Sequence, residues 1–585
     1  MSDSQSKRTL PRILISILIT LVVGAIWFYI SLPAINLHNT SFYGFCLILL
    51  LVYILVFMIA LGTDTGDNGI RLKDYLAFAK KQCRAVLIVV VALILLFLAG
   101  ALISAPFLRA GAYHDLLDVE TGNFATDVDQ LSFDEIPMLD QASASRLGDR
   151  KLGELSDMVS QFELSADYTQ INYQGRPVRI ASLEYGDFFK WFLNRKEGLP
   201  AYITVDMGTQ EAQVIRTSSL GLGGMRYSPS EYFTRDLDRT LRFSYPTYMF
   251  MSAHLEVDED GTPWWVCPRQ SKTIGLFGGT DIIGAVLLNA CTGERTYYDI
   301  DDIPTWVDRV YTAELISEQY NYYGYYVHGF INSLIGQKEV TITTEGTNYL
   351  ALKDDVYMYT GITSVNSDQS NVGFLLSNQR TKETTYYPVA GAIETSAQAS
   401  AQGVVQDLGY TATFPLLLNI GGQPTYFMSL KDSSELVKMY AMVNVAQYQI
   451  VATGTSVAAC ESDYVAKLRQ HNISVSVDGD LDISIDQASL SGKIAEIRTA
   501  VLDGDSWYYI RLDGSSTFYA ISATADRNVV VLNVGDAVSI QADSASDAPI
   551  VDASSISTGQ SDPDPVTTTP EPTTAPEGTD TASEG

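Results

Sequence analysis

The chain has 585 residues, 46% of them hydrophobic, and a formal net charge of −30. This length predicts several domains with well-packed cores. The acidic excess disfavours nucleic-acid binding, because a phosphate-binding surface needs clustered Lys and Arg, and it disfavours broad electrostatic adhesion to an anionic membrane surface.

Three runs of about 20 residues lack any charge, the length needed to cross roughly 30 Å of hydrocarbon. They are Ile13 to Leu32, Phe42 to Leu61 and Ala85 to Ala105. The basic residues lie before the first run (Lys7, Arg8, Arg12) and between the second and third (Arg71, Lys73, Lys80, Lys81, Arg84). The positive-inside rule therefore predicts a multi-pass cell-membrane protein with a cytoplasmic N-terminus and an extracytoplasmic region after Ala105.

A short pattern recurs three times at intervals of about 85 residues, namely an apolar run, an Asx, a Thr and a Glu. Asx and Thr side chains bond their own backbone in tight turns, so each copy is predicted to be a β-hairpin. The turn residues are Asp206, Thr209 and Glu211, then Asn289, Thr292 and Glu294, then Asn378, Thr381 and Glu383.

The segment Tyr440 to Val445 stands where a fourth copy should be, but Thr and Glu are missing from its turn, so that copy is either degenerate or false.

Five short apolar runs near the C-terminus, among them Val529 to Leu532, predict a small β-barrel similar to an OB-fold. Few basic residues accompany them, unlike in nucleic-acid-binding barrels. The last residues are rich in Ser, Thr, Pro and acidic side chains and predict a disordered tail.

The predicted fold class is a membrane protein with three N-terminal transmembrane α-helices, an α+β extracytoplasmic region of repeated helix and antiparallel-hairpin modules, and a small β-barrel. The predicted domains are the transmembrane region 1–110, an acidic linker 111–140, modules 141–225, 226–335, 336–395 and 396–455, a spacer 456–490, the barrel 491–552 and the tail 553–585.

The modules resemble PepSY-type domains over about 170–445, and the second module matches best. The resemblance rests on a helix, a strand pair with Gly-x-Pro at its turn, and the hairpin that contains Asn289 to Glu294. The Gly-x-Pro turns are Gly175 to Pro177, Gly261 to Pro263 and Gly422 to Pro424. The resemblance implies non-catalytic extracytoplasmic modules that bind or restrain proteases and other envelope proteins, and it implies no catalytic residue.

Two groups of side chains are candidate binding sites. An aromatic concentration is either core packing or an exposed surface for a peptide or glycan, and a basic spot is either a salt-bridged helix face or an anion site. The aromatic residues are Trp264, Trp265, Trp306, Tyr322 and Tyr325, and the basic residues are Arg146, Arg150 and Lys151.

Five cysteines are too few for a disulfide framework, and five scattered histidines predict no zinc site. Cys267 and Cys291 flank Gly278 to Thr280, so a hairpin centred there would place them opposite each other, either as a disulfide or as two buried thiols. The acidic triplet Asp478 to Asp482 has calcium-like spacing but is better explained as a turn. No cofactor is predicted.

These observations favour a non-catalytic, membrane-anchored scaffold or regulator that binds an envelope or membrane protein, or a peptide. An envelope hydrolase acting on wall polymer or peptide is the second hypothesis, and it requires paired carboxylates that no motif reveals. A subunit of a membrane transport complex is the third, because Gly24 and Gly100 permit close helix approach.

Overall fold

Helices and sheets were assigned in a computed structural model, which describes residues 3–62, 83–131, 136–352, 354–365, 370–471, 473, 475, 487–502, 505–523, 527–543 and 550–558. The chain divides into two units, Met1–Ser476 and Val477–Gly585. The first contains the membrane helices and the repeated modules, and the second contains the barrel.

Three N-terminal helices are long and apolar enough to cross a membrane, as predicted. They are α1 (Asp3–Ser31), α2 (Thr40–Gly62) and α3 (Arg84–Ile103). Their apolar windows are Leu10–Ser31, Thr40–Ala60 and Arg84–Ile103. Residues 63–82, with Arg71, Lys73, Lys80 and Lys81, lie outside the described residues, so the orientation of the helices stays a prediction.

Four β-sheets follow, each with its own helix. The helices that precede them are α6 (Gln141–Gly153), α8 (Leu237–Ser244), α9 (Ala313–Tyr325) and α11 (Glu394–Val404). Sheet 1 contains β2 (Phe162–Leu164), β3 (Thr169–Tyr173), β4 (Arg176–Tyr185), β5 (Ala201–Asp206) and β6 (Ala212–Arg216). Sheet 2 contains β7 (Met249–Phe250), β8 (His254–Val257), β9 (Pro263–Ile274), β10 (Gly278–Asn289) and β11 (Arg295–Asp299).

Sheet 3 contains β12 (Thr341–Thr343), β13 (Asn348–Leu352), β14 (Asp355–Ser364), β15 (Ser370–Asn378), β16 (Thr384–Tyr387) and β17 (Gly391–Ala392). Sheet 4 contains β18 (Thr411–Ala412), β19 (Leu416–Ile420), β20 (Gln423–Lys431), β21 (Val437–Asn444) and β22 (Val451–Gly454). We call each sheet with its preceding helix a module, numbered 1 to 4.

The four sheets share one topology. In each, a long strand pairs on one side with two shorter strands in succession, and on the other side with the first strand of the repeat hairpin. Sheet 4 has the same order. Helix α9, which the predicted boundaries place at the end of the second module, precedes sheet 3, where Asn321 bonds Thr343 of β12.

The three repeat turns form as predicted, and the Asx side chain organises each one. Its Oδ1 accepts hydrogen bonds from backbone N–H groups two and three residues later. In the second and third copies the Thr hydroxyl accepts from the Glu N–H. The Glu carboxylates themselves are exposed, and the Glu backbone carbonyl accepts from the Asx N–H. The turn residues are Asp206, Thr209, Glu211, Asn289, Thr292, Glu294, Asn378, Thr381 and Glu383.

The fourth copy is genuine, with a longer turn. Asn444 N–H bonds the carbonyl of Ile450, whereas Asn289 N–H bonds that of Glu294. In every module the N–H of the residue after the Asx donates to the carbonyl of the first or second residue of the long strand: Met207 to Pro177, Ala290 to Pro263, Gln379 to Val356, and Val445 to Pro424. The missing Thr and Glu therefore do not break the module.

The segment 115–140, named the strap, belongs to the predicted acidic linker 111–140, but it packs against the modules instead of serving as an unpacked connection. Its residues 132–135 lie outside the described part of the chain. It leaves α4 (Pro106–His114), pairs β1 (Glu120–Thr121) parallel to β16, and forms the short helix α5 (Phe124–Asp127). Among its described residues, the apolar side chains enter the cores of the modules, whereas most of the acidic side chains, namely Asp115, Asp118, Glu120, Asp127 and Asp129, are exposed. These buried residues are Leu117, Phe124, Val128, Ile136 and Leu139.

The first and last modules of the series are in contact, since side chains of module 4 bond side chains of module 1 and its N-terminal segment. Lys431 lies 2.7 Å from Asp140, the N-cap of α6, and Gln210 bonds the Tyr440 hydroxyl at 2.6 Å. The predicted spacer is partly wrong, because α12 (Val457–Gln470) packs on sheet 4 and buries Tyr464 completely.

The second unit is a closed barrel of five strands in the order β23-β24-β25-β27-β26. They are β23 (Gln487–Leu502), β24 (Asp505–Leu512), β25 (Phe518–Ser522), β26 (Ala537–Asp543) and β27 (Ile550–Thr558). Two expectations need correction: Arg527–Val531 is a 3₁₀ helix, and the last strand extends into the segment assigned to the tail. Residues 478–482 and 559–585 lie outside the described residues.

The tip of the β9–β10 hairpin docks on the C-terminal end of α3. Ser104 Oγ accepts from the backbone N–H groups of Leu276 (2.8 Å) and Phe277 (2.9 Å). Gly100, expected at a helix–helix contact, instead faces this tip, whereas Gly24 faces Leu49 of α2. The Phe277 ring also packs against Tyr43 and Phe97. The modules are therefore bound directly to the membrane helices.

Replacement of Gly100 tests this contact. A Cβ at position 100 would lie 2.5 Å from Leu276 Cδ2, so we expect Gly100→Leu to destabilise the full-length protein by roughly 1–3 kcal/mol. The measurement is the thermal unfolding midpoint in detergent. Gly44→Leu is the matched control, because a Cβ at position 44 meets no heavy atom within 4 Å. Equal midpoints for the two variants would contradict the docked tip.

Candidate functional site

A cavity of about 560 Å³ lies where modules 1, 2 and 3 meet. Its volume falls in the range of small-molecule and peptide-anchor sites. Module 1 contributes Gln170 and Arg179, the start of α9 contributes Thr312 and Ala313, and the remaining lining comes from Gln141, Asp167, Tyr168, Met251, Ser252, Arg309, Glu314, Tyr349 and Gln379. The cavity is therefore an inter-module site.

Arg179 carries a charge on the buried side of this cavity. It stands in β4, its exposed fraction is 6%, and its Nη1 donates to the carbonyl of Tyr168 at 3.3 Å. Its Nε has no hydrogen-bond partner in the described structure, and the described residues place no carboxylate in an ion pair with it. Burial lowers the pKa of Arg179 to about 10, so the guanidinium is charged at neutral pH.

Arg309 reaches the cavity from the loop before α9, and a buried carboxylate fixes that loop. Glu256 accepts hydrogen bonds from the backbone N–H groups of Asp308 (2.8 Å) and Arg309 (3.1 Å). Its Oε1 also lies 2.9 Å from Nε2 of His254, and both side chains are fully buried. Burial, reinforced by the charge of Arg309, lowers the pKa of His254, so a neutral imidazole donates to Glu256.

The side chain of Arg309 is left without a partner by this arrangement. Its Nε is buried and unbonded in the described structure, and no described carboxylate forms an ion pair with it. The charge of Arg309 acts on Arg179 as well as on His254, so the two guanidinium groups share one region. The N-terminus of the 13-residue helix α9 adds the positive end of its dipole to the same wall.

The carboxylates of the cavity lie at its rim. Asp167 and Glu314 are exposed, whereas Gln170 and Gln379 are buried. Gln170 donates to the carbonyl of Tyr349 at 3.4 Å, and its Oε1 has no partner in the described structure. The interior therefore offers two cations and amide groups, with acidic side chains outside.

Such an interior can hold an anion. Guanidinium groups donate paired hydrogen bonds that match a carboxylate or a phosphate, and a buried charge without a partner costs several kcal/mol. A bound anion would remove that cost. Among the described residues, no group of three or more His, Cys, Asp or Glu could hold a metal ion.

The five predicted aromatic residues do not form one surface. Trp265 is buried and donates to the carbonyl of Tyr227, while its neighbour Trp264 points to the other face of β9 and packs against Trp306. On α9, Tyr322 packs against Tyr113 of α4, and Tyr325 is 37% exposed. Most of the cluster joins elements together, because strand alternation and helix packing direct the rings into different contacts.

The predicted basic spot lies on the surface of α6. Arg146 and Arg150 are exposed, and Lys151 pairs with Glu154 at 3.0 Å. None of the three lines the cavity, although Gln141 of the same helix does.

Of the two alternatives for Cys267 and Cys291, the structure shows the pair of buried thiols and not the disulfide. The hairpin register places Cys267 opposite Val286, and Cys291 lies beyond the end of β10.

The sequence did not predict the cavity residues, although it contains one local pattern that points to two of them. Gln170 and Arg179 are equally distant from the Gln174–Gly175 turn and form a cross-strand pair. Arg179 stands in a strand whose other residues are largely apolar, where an unpaired Arg is unusual. Arg309 and Gln379 carry no such signal, because they reach the cavity through tertiary contacts.

Comparison of the chain with family models, with curated proteins and with solved structures found no match. The resemblance to PepSY-type domains and to an OB-fold therefore stays a prediction.

A pH-dependent prediction concerns Asp308, which is 2% exposed beside Glu256. Burial, followed by the charge of Glu256, raises the pKa of Asp308 well above its usual value. An acid whose pKa is raised on folding stabilises the protein at low pH, and this stabilisation is lost as pH rises from about 4 through the raised pKa. We expect Asp308→Asn to gain thermal stability relative to wild type as pH rises, since the amide oxygen can still accept the hydrogen bond that Asn172 N–H donates to Asp308 Oδ2 at 2.6 Å.

The measurement is the unfolding midpoint of both proteins across that pH range. Asp301→Asn, at an exposed position, is the control and should track wild type. A difference between Asp308→Asn and wild type that stays constant with pH would contradict the assigned pKa direction.

Proposed function

We propose that this protein is a membrane-anchored, non-catalytic scaffold that binds a carboxylate-bearing segment of an envelope protein or peptide. The observation that carries the proposal is the pair Arg179 and Arg309, two guanidinium groups without a described carboxylate partner that line one inter-module cavity. The three membrane-length helices supply the anchor.

A carboxylate fits this cavity better than a phosphate group. Both anions match the guanidinium fork, but the acidic side chains at the rim and the net charge of −30 penalise a doubly charged ligand more strongly. A peptide terminus also has an apolar body that can contact Met251 and Tyr349, while a free amine could approach Asp167 or Glu314 at the rim. The extracytoplasmic location of this site rests on the distribution of basic residues in the sequence.

The test measures binding of fluorescent peptides to the full-length protein in detergent, using matched peptides with a free or an amidated C-terminus. We expect a subset of free-acid peptides to bind and amidation to weaken them by about tenfold or more, because it removes the charge-assisted hydrogen bonds. Arg179→Gln with Arg309→Gln should abolish this preference.

Arg146→Gln with Arg150→Gln is the control, because it removes the same number of charges outside the cavity. Equal affinity for free and amidated peptides, or equal loss in both double variants, would contradict the proposal. Phosphorylated peptides form a third arm, and tighter binding of these than of free acids would replace a carboxylate by a phosphate as the ligand.

A further inference from the structure

Two exposed apolar patches flank the membrane helices. The α4 patch is unusually exposed for aliphatic side chains, with Ile335 at 81% and Ile331 at 67%. The α7 patch, named for helix α7 (Phe188–Asn194), is similar, with Phe189 at 76% and Leu193 at 73%. The first contains Phe107, Leu108, Phe330, Ile331, Leu334 and Ile335, and the second contains Phe188, Phe189, Phe192, Leu193, Phe233 and Phe243.

The α4 patch is continuous with the third membrane helix. Helix α3 ends at Ile103, and α4 begins at Pro106, so Phe107 follows the membrane segment within one helical turn. Its ring contacts that of Phe330 at 6.2 Å between centroids. Phe330 lies in the helical turn Gly329–Ile331 (α10), which the π-helical turn Asn332–Gly336 follows directly. These turns therefore lie beside the end of α3.

The α7 patch is connected to the first membrane helix. The ring of Phe243 on α8 packs against Phe28 and Tyr29, inside the last turn of α1. Arg242 of the same helix donates to the carbonyl of Leu32 at 2.9 Å. The other end of α8 adjoins Phe233, since Thr240 bonds the carbonyl of Thr234.

Helix α7 (Phe188–Asn194) completes this patch around a buried tryptophan. Trp191 packs against Tyr232 and Phe233, which leaves the neighbouring Phe189 and Leu193 facing outward. Basic residues accompany them in an otherwise acidic protein: Lys190, Arg195 and Lys196. Aromatic and aliphatic side chains flanked by Lys and Arg are typical of segments that lie in a membrane interface.

We propose that the α4 and α7 patches insert into the lipid interface around the membrane helices and form an apolar collar beneath the modules. The occupant of both patches is the bilayer, because the α4 patch continues from α3, the α7 patch contacts the end of α1, and no described residue covers their exposed side chains. This inference is independent of the ligand in the arginine cavity.

The experiment places a single environment-sensitive fluorophore at Ile335→Cys or Phe189→Cys in full-length protein reconstituted into phosphatidylcholine nanodiscs. The native thiols at 83, 267, 291 and 460 are buried, and Cys46 is replaced by Ala. Quenching is measured with lipids brominated on their acyl chains and, separately, with aqueous iodide. Val404→Cys on α11 is the matched control, an exposed aliphatic position (54%) in module 4.

We expect brominated lipid to quench both collar positions several-fold more than the control, and iodide to show the reverse order. Iodide quenching equal to that at position 404 would overturn the proposal. Protection from both quenchers would also overturn it, since it would mean that a protein surface, such as a second copy of the chain, covers the patch.

Discussion

A buried guanidinium without a counter-ion is the constraint around which the modules are arranged. Arg179 stands in a strand of module 1, and the surfaces that enclose it come from modules 2 and 3. Asp140, paired with Lys431 of module 4, contributes favourably to its charge from a distance. Modules 1, 2 and 3 each add a wall, but no described residue supplies a carboxylate that bonds Arg179. The site is thereby preorganised for an anion that comes from outside.

Hydrogen bonds at the repeat turns hold those walls in place. The Asx turn closes each repeat hairpin, and the residue after the Asx then bonds both the long strand of its own module and the segment that leads into that module's helix. Met207 bonds Met138 in this way, and Gln379 bonds Tyr311. The strap then ties the end of α3 to modules 3, 4 and 1. Membrane helices, hairpin tip and strap therefore fix the body that contains the cavity.

Much of this architecture was predictable because its signals are local. Uncharged runs of membrane length, the Gln174–Gly175 hairpin and the Asx turns depend on neighbours in sequence. The strap was predicted to be a linker because acidic residues dominate its composition. Its few apolar side chains nevertheless determine that it packs against the modules. The fourth module was ambiguous because its turn is longer, although its strands pair identically. The arginine cavity forms only where three modules meet, so its residues are far apart in sequence. The Gln170–Arg179 cross-strand pair is the one part of it that the sequence could have predicted.

The most direct measurement is the thermal stability of Arg179→Met against wild type, in full-length protein without and with a free-acid peptide that binds wild type. A buried guanidinium that lacks its anion lowers the free energy of unfolding of the ligand-free protein. We therefore expect Arg179→Met to unfold at the same or a higher temperature than wild type without peptide, and peptide to raise the unfolding midpoint of wild type alone. A clearly lower midpoint for the peptide-free variant would show that Arg179 stabilises the fold, and would contradict its assignment to a ligand.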